Sequence, residues 1–236
     1  MKLKPSELTE HGYHLYMRYS FNELIGLVAD EIRRKTVHMR SFWLLLGISG
    51  AWALLATVWA VRVAGWHAPA SILVGAAGMI AIIPMHELLH ALAFRIRGAR
   101  HIRFGAKPRQ LIFYAIARNF VADYREMRFI LYLPAVVISV GLVVSMLFPS
   151  AFFATSIAWV VFIHMSACTG DFALASFMSR HRSLGIVTTD DEAEELVTCF
   201  YLKRPVGVTS EGAAAVASSA DPSHAADHSG RTAEGT

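Results

Sequence analysis

The chain has 236 residues, 55% of them hydrophobic and 17% charged, with a mean hydropathy of +0.43, too apolar for an ordinary soluble domain. Its net charge of +4 comes from basic residues placed around apolar spans, which favours anionic lipid headgroups and excludes nucleic acid as the reason for the charge. Cys168 and Cys199 are too few and too ill-placed for a disulfide framework.

In chain order, MKLKPSELTEHGYHL carries basic residues with no apolar core behind them before Ser41, so it is not read as a cleavable signal peptide. Residues 13–40 mix aromatics and aliphatics with a basic end, RRK, so 1–40 is expected to be a cytoplasmic segment whose second part is either an amphipathic helix on the inner leaflet or an ordinary juxtamembrane segment. Four windows then follow that are long enough to cross a hydrocarbon core: 41–64, 68–94, 127–148 and 150–178.

Basic residues fix the orientation, since they are retained on the cytoplasmic side. Residues 1–40 carry seven, 95–128 nine and the region after Met178 five, leaving Arg62 alone near the opposite face. Both termini and the 95–128 connection are therefore expected in the cytoplasm, with short outer turns around Gly65–His67 and Pro149.

Within 99–118, HIRFGA alternates apolar and polar positions, KPRQ supplies turn chemistry and LIFYAIA is an apolar run of strand length, which predicts a β-hairpin. Such backbone at membrane depth must pack on protein or line a wet cavity. Asp123 and Glu126 stand three apart as the N-cap and N3 of a capping box opening the third span. Residues 181–204 include an acidic patch and a strand-like run, read as a small cytoplasmic appendage, and the Ala-, Ser-, Gly- and His-rich tail 205–236 reads as disordered. The expected fold is an all-α polytopic membrane protein, with a four-helix domain over 41–180 and a small cytoplasmic-side hairpin between helices two and three.

Inside the second span lies PMHELLHALAF, residues 84–94. An ionisable group at the centre of a spanning helix costs roughly 2.5–3.5 kcal/mol on insertion scales and marks a functional site by default. His86 and His90 stand four apart on one helix face, the separation at which two imidazoles hold one zinc ion, and Glu87 beside them can act on a water without being a ligand. Histidines that were merely hydrogen-bonded in a bundle would not need the glutamate there.

A catalytic zinc ion takes three protein ligands and keeps one position open, so a third must come from elsewhere. The span candidates are Asp171, His164 and Cys168. His86 lies nine residues before Arg95 and Asp171 nine before Arg180, so both sit about 14 Å in from the inner boundary at about 1.5 Å per residue. His164, sixteen residues before Arg180, is expected about 24 Å from that boundary, some two turns too far out. Asp171 is favoured, with Cys168, one turn away on the same face, as the substitute.

These residues resemble the site-2-protease type of intramembrane zinc metalloprotease and, more closely, a small bacterial family known as putative zincin peptidases. The resemblance rests on HELLH in one span, the hairpin-like segment after it and Gly170–Asp171 two spans later, and covers about residues 70–180. It implies zinc (Zn2+) as cofactor, His86, His90 and Asp171 as its ligands, Glu87 as the catalytic glutamate, and a core made of spans two to four. Site-2 proteases present the aspartate as Leu-Asp-Gly, whereas here the order is Thr169-Gly170-Asp171-Phe172.

The function expected is zinc-dependent hydrolysis of a peptide bond in or beside the bilayer, in a membrane-protein or peptide substrate. A metal transporter or metal sensor could use the same ligands, but outward of His86 the second span offers only Ser71, and the fourth only His164, Thr155 and Ser156, a thin ion pathway. A scaffold for transmembrane partners with an idle motif is the third reading.

Overall fold

The computed structural model describes residues 3–64, 67–107, 112–145, 150–191 and 197–203. The outer turns expected at Gly65 and Pro149, the hairpin tip and the tail 205–236 lie outside the described residues.

Among the described residues four helices are long and apolar enough to cross a membrane. They are α2 (Val37–Ala64), α3 (His67–Ile96), α4 (Tyr124–Ser145) and the pair α5 (Ala151–Ala167) and α6 (Thr169–Arg180). Large apolar side chains such as Leu44, Leu55, Leu73 and Ile80 point outward with 64–76% exposure, a surface matched to hydrocarbon and not to water. The fourth span is two helices rather than the single helix expected over 150–178, jointed at Cys168, whose backbone (φ −71°, ψ 4°) leaves the helical region.

Local chemistry sets the ends. The Glu126 N–H donates to Asp123 Oδ1 at 2.8 Å and the Asp123 N–H to Glu126 Oε2 at 3.3 Å, the reciprocal pair expected at the start of α4. At the end of α3, Gly98 adopts φ +95°. The Gly98 N–H donates to the Arg95 carbonyl and the Ala99 N–H to the Phe94 carbonyl, each at 2.9 Å. That Schellman closure needs a left-handed residue and turns the chain out of the helix.

Where α3 and α5 cross, a Cβ on Gly75 would meet the Ser156 carbonyl oxygen at 2.6 Å. Only a glycine lets the two backbones approach so closely.

The sheet is larger than the hairpin expected from sequence. Its strands are β1 (Tyr13–Ser20), β2 (His101–Lys107), β3 (Ile112–Arg118), β4 (Ala122–Asp123), β5 (Val187–Asp191) and β6 (Val197–Lys203), in the order β1-β6-β5-β3-β2 with β4 against β5. β2 and β3 pair antiparallel from His101↔Arg118 to Lys107↔Ile112, while β3 meets β5 in parallel at Arg118↔Asp190.

Two expectations are corrected here. The amphipathic helix or juxtamembrane segment expected across 13–40 is a strand followed by a helix: Tyr13–Ser20 pairs with β6, and α1 (Phe21–Ile32) starts at a Ser20–Glu23 capping box, with the Ser20 N–H on Glu23 Oε2 at 2.7 Å. The segment read as an appendage, 181–204, supplies β5 and β6 to the middle of the sheet. Sheet and helices meet in a core of Phe94, Phe120, Ile130, Phe177, Met178 and Phe200, each 5% exposed or less. This contact fixes the hairpin and α1 against the ends of α3 and α6.

Candidate metal centre

One turn of α3 places His86 and His90 ring to ring, with centroids 4.6 Å apart. Their Nε2 atoms are 2.9 Å apart. Asp171, in the first turn of α6, brings Oδ2 to 3.3 Å from His86 Nε2 and Oδ1 to 3.4 Å from His90 Nε2. The three side chains are 10–15% exposed.

Hydrogen-bond accounting shows what such a cluster lacks. His90 Nδ1 lies 3.0 Å from the Ile130 carbonyl, which can only accept, so Nδ1 carries the proton and the neutral ring offers a lone pair at Nε2. Asp171 Oδ2 is a buried acceptor without a hydrogen-bond donor among the described residues. Lone pairs of two imidazoles and a carboxylate thus face one point, which is repulsive unless a cation or a proton sits among them. An ion with tetrahedral bonds of about 2.0–2.2 Å spaces its ligand atoms about 3.3–3.5 Å apart; the separations here, 2.9, 3.3 and 3.4 Å, fit that within a few tenths of an ångström. The residues present fit zinc.

Glu87 lies beside this cluster, its carboxylate within 4.8 Å of ring nitrogens of His86 and His90, and shares a cavity with Ala115 of β3. The cluster opens into a cavity of about 410 Å³ walled by α1 (Leu24, Val28), β3 (Phe113, Ala115), α4 (Ile130) and α6 (Leu174). A second hollow of about 290 Å³, lined by Pro84, Leu88, Phe104 and Phe113 among others, shares Glu87 with the first. An apolar segment in extended form can therefore lie beside the carboxylate with the ligand cluster in reach.

Sequence reasoning weighed His164 and set it aside on depth, and it missed Asp190. His164 is not out of reach: its Nε2 is 3.1 Å from His86 Nδ1, with Cys168 Sγ at 3.7 Å. In the sequence His164, Cys168 and Asp171 stand at i, i+4 and i+7, the spacing of one helix face, the signal that counting depth passed over. His86, His164 and Cys168 also lie close enough together to hold an ion among them, as do His86, Glu87 and His90. Asp190 lines the cavity from β5 and accepts the Thr198 hydroxyl at 2.9 Å. Burial pushes its carboxyl up to about 6, with the Thr198 bond pulling more weakly the other way.

Residues 79–183 match the family model described as Putative zincin peptidase, a description that names a zinc metallopeptidase. Both histidines, Glu87 and Asp171 fall inside the match. No curated protein and no solved structure matches the chain.

Proposed function

We propose, with that family as the premise, that this chain is a membrane-embedded zinc metalloprotease of the site-2-protease-like kind, which hydrolyses peptide bonds in or next to membrane-spanning substrates. The observation that carries the reading is the convergence of His86 Nε2, His90 Nε2 and the Asp171 carboxylate on one point beside Glu87, within helices long and apolar enough to span a bilayer. His86, His90 and Asp171 are the zinc ligands in this reading.

Bound zinc supplies Lewis acidity, which acidifies a water and polarises a scissile carbonyl. Glu87 accepts a proton as the water oxygen adds to the carbonyl carbon, and returns it to the amine nitrogen as the C–N bond breaks. An intact substrate helix hides its carbonyls in hydrogen bonds, so the substrate must lie extended, and β3, which lines the cavity from Phe113 to Ile116, is the strand along which it would lie. The apolar walls and the cover provided by α1 keep bulk water from the reacting bond.

Both termini and the hairpin lie on the cytoplasmic side in this reading. Support comes from the sheet, which unites residues 13–20, 101–118 and 187–203, the three regions flanked by most of the basic residues.

The test is metal content and proteolysis of the purified full chain. Glu87→Gln is expected to keep one zinc per chain and to lose cleavage of a transmembrane reporter by about 10²–10⁴-fold, the range for a general base. His86→Ala is expected to lose zinc and cleavage together. Cleavage retained by the glutamine variant removes the protease reading, whereas zinc flux into liposomes that depends on His86 replaces it with transport.

A further inference from the structure

The imidazole of His164 belongs to no ligand set in the reading above, yet it is buried at 1% exposure and meets His86 on the side away from Asp171. We infer that His164 is a positioning residue, which accepts the His86 Nδ1–H and thereby aims Nε2 of that ring at the metal. The inference rests on the zinc reading.

The proton inventory leads to it. His86 turns Nε2 toward His90 and Asp171, so a neutral ring that offers a lone pair there carries its proton on Nδ1. That N–H has His164 Nε2 at 3.1 Å. His164 must then accept at Nε2 and hold its own proton on Nδ1, an atom that is buried without a hydrogen-bond partner among the described residues. The Cys168 thiol, 3.7 Å away, also faces Nε2. Two donors thus share one nitrogen while the other is left unsatisfied, and a buried donor without an acceptor is costly. A leucine or phenylalanine would fill the space without that cost, so packing does not explain the histidine. An acceptor for His86 does.

The two histidines of the motif are consequently anchored by unlike groups. His90 donates to a main-chain carbonyl on α4 at 3.0 Å, which no side-chain substitution removes, whereas His86 donates to a side chain on α5. Partners of this kind fix tautomer and ring orientation, and their loss typically weakens metal binding by about 10–100-fold.

Zinc affinity of the full chain in detergent, measured by competition with a chromophoric chelator, tests the assignment. The set is wild type, His164→Leu and His164→Gln. Leucine keeps the volume and removes the acceptor, while glutamine restores an acceptor oxygen. The expected result is one zinc per chain in all three, with affinity lowered about 10–100-fold by leucine and restored to within a few-fold of wild type by glutamine. Thermal unfolding in excess chelator checks that leucine leaves the metal-free fold intact. Wild-type affinity in the leucine variant overturns the inference. So does a glutamine variant as weak as leucine, or a wild-type stoichiometry of two zinc ions falling to one, either of which makes His164 a ligand. Wild-type protein that binds no zinc overturns the functional reading itself, a result these variants do not mimic.

Discussion

Asp190 gives a prediction whose sign changes with pH. Its carboxyl lies against the cavity and accepts the Thr198 hydroxyl, and burial lifts it from 3.8 to about 6. Since the folded value exceeds the unfolded one, the folded state binds the proton more tightly. Its stabilising contribution is therefore complete below about pH 3.8 and is lost as pH rises through about 6. A rise of about two pH units corresponds to about 3 kcal/mol once the group is ionised in both states. Asp190→Asn cannot ionise and keeps an acceptor for Thr198, so it should stabilise the fold by about 3 kcal/mol at pH 7.5, or about 6–12 °C in Tm for a domain of this size. The same arithmetic leaves about 0.5 kcal/mol at pH 4. The assay is thermal unfolding in detergent with excess chelator, wild type against variant at each pH, which subtracts the titration of every other group. An equal gain at both pH values, or a loss at pH 7.5, refutes the argument, the latter because it would mean that the ionised carboxylate is stabilised by a cation.

Three further outcomes follow from packing and topology. Gly75→Ala should destabilise by about 1–3 kcal/mol, because the new methyl meets the Ser156 carbonyl at 2.6 Å and backbone must move; chemical unfolding measures it, and a neutral result means that α3 and α5 do not cross so closely. Glu31→Ala should cost about 3 kcal/mol and raise protease sensitivity within 21–32, since Glu31, 1% exposed, ties α1 to α6 through Arg180 and through the Ser176 hydroxyl at 2.7 Å. A single cysteine placed at Arg204 should react with a membrane-impermeant maleimide only in inside-out vesicles; labelling of right-side-out vesicles would reverse the proposed orientation.

What was legible in the sequence was what local pattern determines. The spans follow from runs of apolar residues, the start of α4 from Asp123 and Glu126 three apart, and the histidine pair from a spacing of four on a helix. The sheet was less legible because its partners are remote: Tyr13 pairs with Lys203 and Arg118 with Asp190. YHLYMRYS held a strand signal that the helical reading passed over, Tyr13, Leu15, Met17 and Tyr19 alternating with His14, Tyr16, Arg18 and Ser20. Ser20 and Glu23 did carry a local signal, since a capping box there starts a helix at Phe21 and so denies one to the residues before it.

The placement of His164 shows a different failure. Counting about 1.5 Å per residue from Arg180 compares Cα heights, and by that measure His164 lies two turns beyond Asp171. Contact, however, is made by side chains. The His86 ring has a nitrogen at each side, and the fourth span reaches one with Asp171 and the other with His164, so that residues seven apart, on either side of the joint at Cys168, bracket a single imidazole of α3. A depth count can therefore reject a residue as a ligand and still miss it as the ligand's neighbour. In a membrane site this matters, because a proton or a lone pair left unmatched has no water to turn to, and the second neighbour of each imidazole is as much a condition for binding an ion as the first.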